Sequence, residues 1–202
     1  MPSVLSKLLQ MNIENGYLEL IIGPMFAGKS TELFRKIDIY RKINKNVLII
    51  NHSLNSRYGF TSSSLVTHDK KVIENVMEVS ELGLIEDKLI EDSDLIVIDE
   101  LQFFKDGYDN VIKFVEEFKK HVVCAGLDGD FNRKPFGDVL RLIPLCDNII
   151  KLKALCKKCG DGREALFSKK IIVSDRGEQV EVGSNDIYIP VCRNCFLEKI
   201  EF

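Results

Sequence analysis

The stretch Gly23-Pro24-Met25-Phe26-Ala27-Gly28-Lys29-Ser30, directly after the apolar run YLELII, restricts the possible fold more than any other segment of this chain. Two glycines bracketing four residues, followed by a lysine and a hydroxyl, fit the phosphate-binding loop G-x-x-x-x-G-K-[ST]. In that loop backbone N–H groups cradle phosphate oxygens, the lysine reaches the β and γ positions, and the hydroxyl holds Mg²⁺. The template needs a strand before it and a helix after it. Residues 17–22 read as the strand, and Lys29 to Lys42 reads as the helix, with Leu33, Phe34, Ile37 and Ile39 apolar. That helix points its N-terminus, and a favourable partial charge, at the phosphates.

Further on, short apolar runs alternate with amphipathic stretches. VLII (47–50) reads as a second strand, and the polar segment from residue 51 to residue 71 as a mobile loop. A strand near 72–79 and a helix near 80–91 follow. LIVID (95–99), a helix near 107–119 and HVVCAGL (121–127) continue the alternation. Strands alternating with helices predict βαβ units and a parallel sheet covered on both faces. The fold class is therefore α/β, a P-loop parallel sheet with helices on both sides.

A P-loop enzyme also needs an acid at the end of a neighbouring strand to hold the metal. LIVIDE offers Asp99 and Glu100 side by side. Adjacent side chains on a strand point to opposite faces, so one can face Mg²⁺ while the other faces a different cleft. Asp99 suits the metal with Ser30, and Glu100 suits general-base work on an acceptor hydroxyl. The plain alternative is a strand ending in two solvated acids.

The character of the chain changes near residue 151, where Cys156-x-x-Cys159 and Cys192-x-x-Cys195 stand 32 residues apart. Two such knuckles fit one tetrahedral, closed and structural Zn²⁺ site. Disulfides or a redox pair are the competing readings, but six cysteines in a chain with no signal-peptide pattern point to a reducing compartment, here the cytoplasm. Cys124 and Cys146 read as core. The net charge of −3 argues against a nucleic-acid partner, as do 10 basic against 8 acidic residues in 151–202. No apolar run is long enough to span a membrane. His52, His68 and His121 show no ligand spacing and receive no role.

Taken together, GPMFAGKSTEL, IDELQFF, GLDGDFNRKPFG and the paired cysteines resemble the cytosolic-type (type II) thymidine kinases, from about residue 17 to residue 196. The resemblance implies transfer of the ATP γ-phosphate to the 5′-hydroxyl of thymidine, with Mg²⁺ and a structural Zn²⁺, in a homotetramer. It places residues 23–30, Asn55, Arg57, Asp99 and Gln102 around ATP, and makes Glu100 the proton acceptor beside Lys29. Phe103, Leu127, Phe131 and Phe136 match positions lining the nucleoside pocket, and Ser168 a hydroxyl on the pyrimidine. Gln179, Val180, Glu181, Val182 and Gly183, with Tyr188, match a loop closing over the base, its ends stapled by zinc. Asn55 stands where the family often carries Asp, and Leu101 where a small residue is usual.

The implied organisation is an N-terminal arm (1–16), a kinase core (17–150) and a zinc-binding lid unit (151–202). Without the resemblance, Phe131 and Phe136 read more readily as ordinary core aromatics than as pocket residues. A different class also remains open: a P-loop ATPase or nucleotide switch that uses a zinc knuckle to bind a partner.

Overall fold

A computed structural model describes residues 15–54, 64–66, 72–171 and 187–198. Six strands form one wholly parallel sheet: β1 (Tyr17–Ile22), β2 (Val47–His52), β5 (Val76–Val79), β6 (Leu95–Ile98), β7 (His121–Gly126) and β8 (Asn148–Lys151), in the order β5-β2-β6-β7-β1-β8. The apolar runs are continuous because both faces of the sheet are buried. On one face Leu20, Ile22, Ile96, Ile98 and Val122 join a core with Phe104, Val111 and Phe114. On the other, Ile21, Ile49, Val97 and Val123 pack against Leu33, Phe34 and Ile37 of α1 (Lys29–Lys42).

Four stretches differ from the sequence expectation. Residues 51–71, read as a loop, supply the last two residues of β2 and a short strand at Ser64–Val66. The helix expected near 80–91 is a 3₁₀ turn at Leu82–Leu84 and, after the two extended residues Ile85 and Glu86, the short helix α2 (Asp87–Glu91). Leu82 and Ile85, both buried, share the three-residue spacing that a 3₁₀ turn satisfies, and Gly83 weakens an α-helical alternative. The helix expected at 107–119 is α3 (Gly107–Ile112), continued by one π-helical stretch, Lys113–Glu117. The strand expected at 72–79 breaks at Asn75, whose φ of 65° is a left-handed conformation that asparagine tolerates. The break leaves β4 (Val72–Glu74) antiparallel to β3 (Ser64–Val66), while β5 joins the main sheet.

Beyond β8 the chain builds a small second core from two hairpins. The pairs are β9 (Ala154–Leu155) with β10 (Glu164–Ala165), and β11 (Phe167–Lys170) with β12 (Tyr188–Val191), followed by α4 (Arg193–Leu197). Cys156, Cys192 and Cys195 are buried there with Ala165 and Val191, and Phe26 and Ala27 of the phosphate loop pack against them. Among the described residues no helix is long and apolar enough to cross a membrane.

Candidate active site

The strand order β6-β7-β1 brings three strand ends together at the carboxyl edge of the sheet, where open α/β sheets bind ligands. The phosphate loop leaves β1, the acid pair leaves β6, and Leu127 leaves β7 between them. A Cβ at Gly23 would lie 2.4 Å from the Leu152 carbonyl oxygen, so only glycine fits where the loop passes the chain after β8.

Lys29 folds its Nζ back onto the loop, donating to the carbonyl oxygens of Pro24 (2.9 Å) and Gly23 (3.2 Å). Burial lowers its pKa, opposed by the negative charges of Glu100, Asp99 and Asp128. Ser30 Oγ donates to Asp99 Oδ2 at 2.9 Å, which joins the two proposed magnesium ligands across the gap between β1 and β6. Burial, reinforced by the charge of Glu100, pushes the Asp99 carboxyl up. A hydroxyl and a buried carboxylate are hard oxygen donors of the kind Mg²⁺ prefers, so these residues fit the ion.

The acid pair diverges for a reason other than strand alternation. β6 ends at Ile98, and Glu100 adopts left-handed backbone (φ 55°, ψ 39°). Its N–H donates to Asp99 Oδ1 at 2.9 Å, while its own carboxylate turns to the side-chain amide of Gln102. Gln102 is buried, and its Oε1 accepts from the Leu127 N–H at 3.0 Å.

On the same edge Phe103 meets Phe136 edge to face at 5.7 Å, and Phe131 lies 6.2 Å from Tyr188. Phe136 is buried, whereas Phe103, Leu127 and Phe131 are half-buried. Ser168 is buried on β11, and its Oγ accepts from the Met25 N–H at 2.9 Å, tying the cysteine-bearing unit to the phosphate loop. Asn55, Arg57, Gln179, Val180, Glu181, Val182 and Gly183 lie outside the described residues. Leu101, where a small residue is usual in the resembling family, is absorbed into the core.

Two residues here carry no signal that sequence reasoning could use. His52 is buried under the aromatic wall, its ring 4.7 Å from Phe104 and 5.9 Å from Phe103, with Nδ1 accepting from the Leu54 N–H at 3.0 Å. Asp128, just past β7, pairs with Lys151 at 2.8 Å and contributes to the field at Lys29.

Cys156, Cys159, Cys192 and Cys195 place their sulfurs within 4.8 Å of one another. The Sγ–Sγ distances from Cys159 are 3.4 Å to Cys195 and 3.8 Å to Cys192. Tetrahedral zinc with bonds near 2.3 Å requires sulfur separations of about 3.8 Å, so the cluster fits that ion.

Fold and site define a P-loop nucleotide-binding α/β protein carrying a four-cysteine knuckle. A family profile described as thymidine kinase matches residues 16–196. The thymidine kinase of vaccinia virus (strain Western Reserve) is 41% identical over 192 residues, covering 92% of this chain and 99% of that one. That of monkeypox virus is 40% identical with the same coverage. Among solved structures, AMPPCP-bound DnaA from Aquifex aeolicus is 15% identical with a TM-score of 0.45, covering 74% of this chain and 44% of that one. The chain belongs to the thymidine kinase family.

Proposed function

We propose that the protein is an ATP-dependent kinase that phosphorylates the 5′-hydroxyl of thymidine to give dTMP. The observation that carries this reading is the convergence of Lys29, Ser30, Asp99 and Glu100 at one edge of the sheet, in a chain matching the thymidine kinase profile from residue 16 to residue 196. The loop N–H groups of residues 23–30 and Lys29 hold the triphosphate, assisted by Asn55 and Arg57. Ser30 and Asp99 hold Mg²⁺, which when bound neutralises phosphate charge. Thymidine lies against Phe103, Leu127, Phe131 and Phe136, with Ser168, Tyr188 and residues 179–183 closing over the base.

Glu100 accepts the 5′-hydroxyl proton as that oxygen bonds to the γ-phosphorus. The bond from the γ-phosphorus to the β–γ bridging oxygen breaks, and ADP leaves. The four cysteines hold a structural zinc. The protein acts in the cytoplasm, with the homotetramer of its family as the expected assembly.

ADP release measured with and without thymidine tests the reading. Release should depend on thymidine and yield dTMP. Equal release without thymidine would overturn it in favour of an ATPase or nucleotide switch.

A further inference from the structure

Gln102 lies in the 3₁₀ turn after the acid pair (Leu101–Phe103), only 4% exposed, with both ends of its amide engaged. The Leu127 N–H at one end requires an oxygen there, so the carbonyl faces Leu127 and the NH₂ group faces Glu100. A Cβ on Gly126 would stand 3.0 Å from Gln102 Oε1, and one on Gly137 would stand 2.4 Å from the backbone carbonyl oxygen of Gln102. The end of β7 therefore packs closely on this side chain, and Gly137 packs on the backbone that carries it.

We infer that Gln102 is a positioning residue that aims the Glu100 carboxylate at the acceptor hydroxyl, rather than a ligand of ATP. The inference rests on the reading of Glu100 as the base. Glu100 needs such a partner because left-handed backbone is unfavourable for glutamate, and its side chain has several rotamers to choose from. The NH₂ donor holds Oε2 and leaves Oε1 for the substrate proton. Because the same amide is bound to Leu127, on the nucleoside side, the base and the pocket wall move as one piece. A displacement of the base by about 1 Å is enough to cost ~10² in rate.

Gln102→Glu separates this role from a structural one. It keeps the shape and an oxygen for the Leu127 N–H, but sets a second carboxylate against Glu100. At pH 8, kcat should fall about 10- to 100-fold, while KM for ATP and for thymidine stays within about threefold. A residue that merely tethers the turn to β7 would leave kcat unchanged, and that result would overturn the inference. Gln102→Met, which fills the socket without a donor, should show the same loss; it serves if the glutamate variant does not fold.

In a Glu100→Gln background either substitution should change kcat by less than about twofold, because residues acting as a unit are not additive. Independent, multiplying losses would overturn the inference and leave the base intact. Normal turnover by Glu100→Gln alone would remove the base and this inference with it.

Discussion

Among the described residues Lys29 has no carboxylate partner within bonding distance; its contacts are the carbonyl oxygens of its own loop, and burial already lowers its pKa. A phosphate arriving there meets a cation with few competing contacts. Lys29→Ala should therefore slow transfer at least about tenfold in steady-state assays, with weaker productive ATP binding. A smaller effect would remove the lysine from this role. Glu100→Gln keeps shape and can still meet Gln102, so ATP and thymidine should bind normally by calorimetry while single-turnover rates fall by roughly 10² to 10⁴. Lost ATP affinity in that variant would instead make Glu100 the metal-side acid. That the Asp99 and Glu100 carboxylates turn to different partners was legible from two adjacent acids after an apolar strand, but the cause was not. Strand alternation suggested it; the left-handed residue at position 100 produces it, and a glutamate in sequence carries no sign of that conformation.

The elements that sequence revealed best are those whose burial is simplest. β1, β6 and β7 are largely apolar on both faces, and α1 shows a 3.6-residue period, so their extents follow closely from hydrophobicity, whereas β2 runs two polar residues, Asn51 and His52, past its apolar run. The segments at 72–79, 80–91 and 107–119 were harder because one left-handed asparagine, one 3₁₀ turn and one π-helical stretch break the period within them. Strand order was not readable, since residues 17–22 pair with 121–126 and 148–151 through contacts between distant parts of the chain. Nor was the link between the cysteine unit and the phosphate loop, made by Ser168 and by Phe26 and Ala27. That link gives the zinc site a consequence. Cys156→Ser should lose zinc by metal analysis and lower Tm by about 10 °C or more, since metal binding is folding free energy in such a unit. ATP affinity should weaken with it, because Met25, Phe26 and Ala27 lose their backing. Zinc-free protein that is folded and freshly reduced would sink the assignment.

Across the whole molecule, the proposed chemistry sits at the carboxyl edge of the sheet, whereas a second polar cluster is buried towards the opposite edge. Glu19 and Lys36 pair there at 2.7 Å, and the Tyr40 hydroxyl lies 2.5 Å from His121 Nδ1. Burial pushes the Tyr40 phenol up to about 12, so it stays protonated and donates to Nδ1, which leaves the imidazole proton on Nε2. Among the described residues nothing pairs with that nitrogen. Burial, with the positive charge of Lys36 nearby, lowers the His121 pKa from 6.5 to about 4. Between those values the unfolded chain binds a proton that the folded chain refuses. Stability from this group is therefore complete above about pH 6.5 and is lost as pH falls towards 4, a loss on the order of 3 kcal/mol in all. Replacing both partners, His121→Phe with Tyr40→Phe, removes the titration without leaving one polar atom stranded. Denaturant unfolding from pH 7.5 down to pH 5 should show the unmodified protein losing about 2 kcal/mol more than the double variant. Parallel curves would mean that His121 takes up its proton in the folded state, and that the buried cluster opens to water without unfolding the sheet.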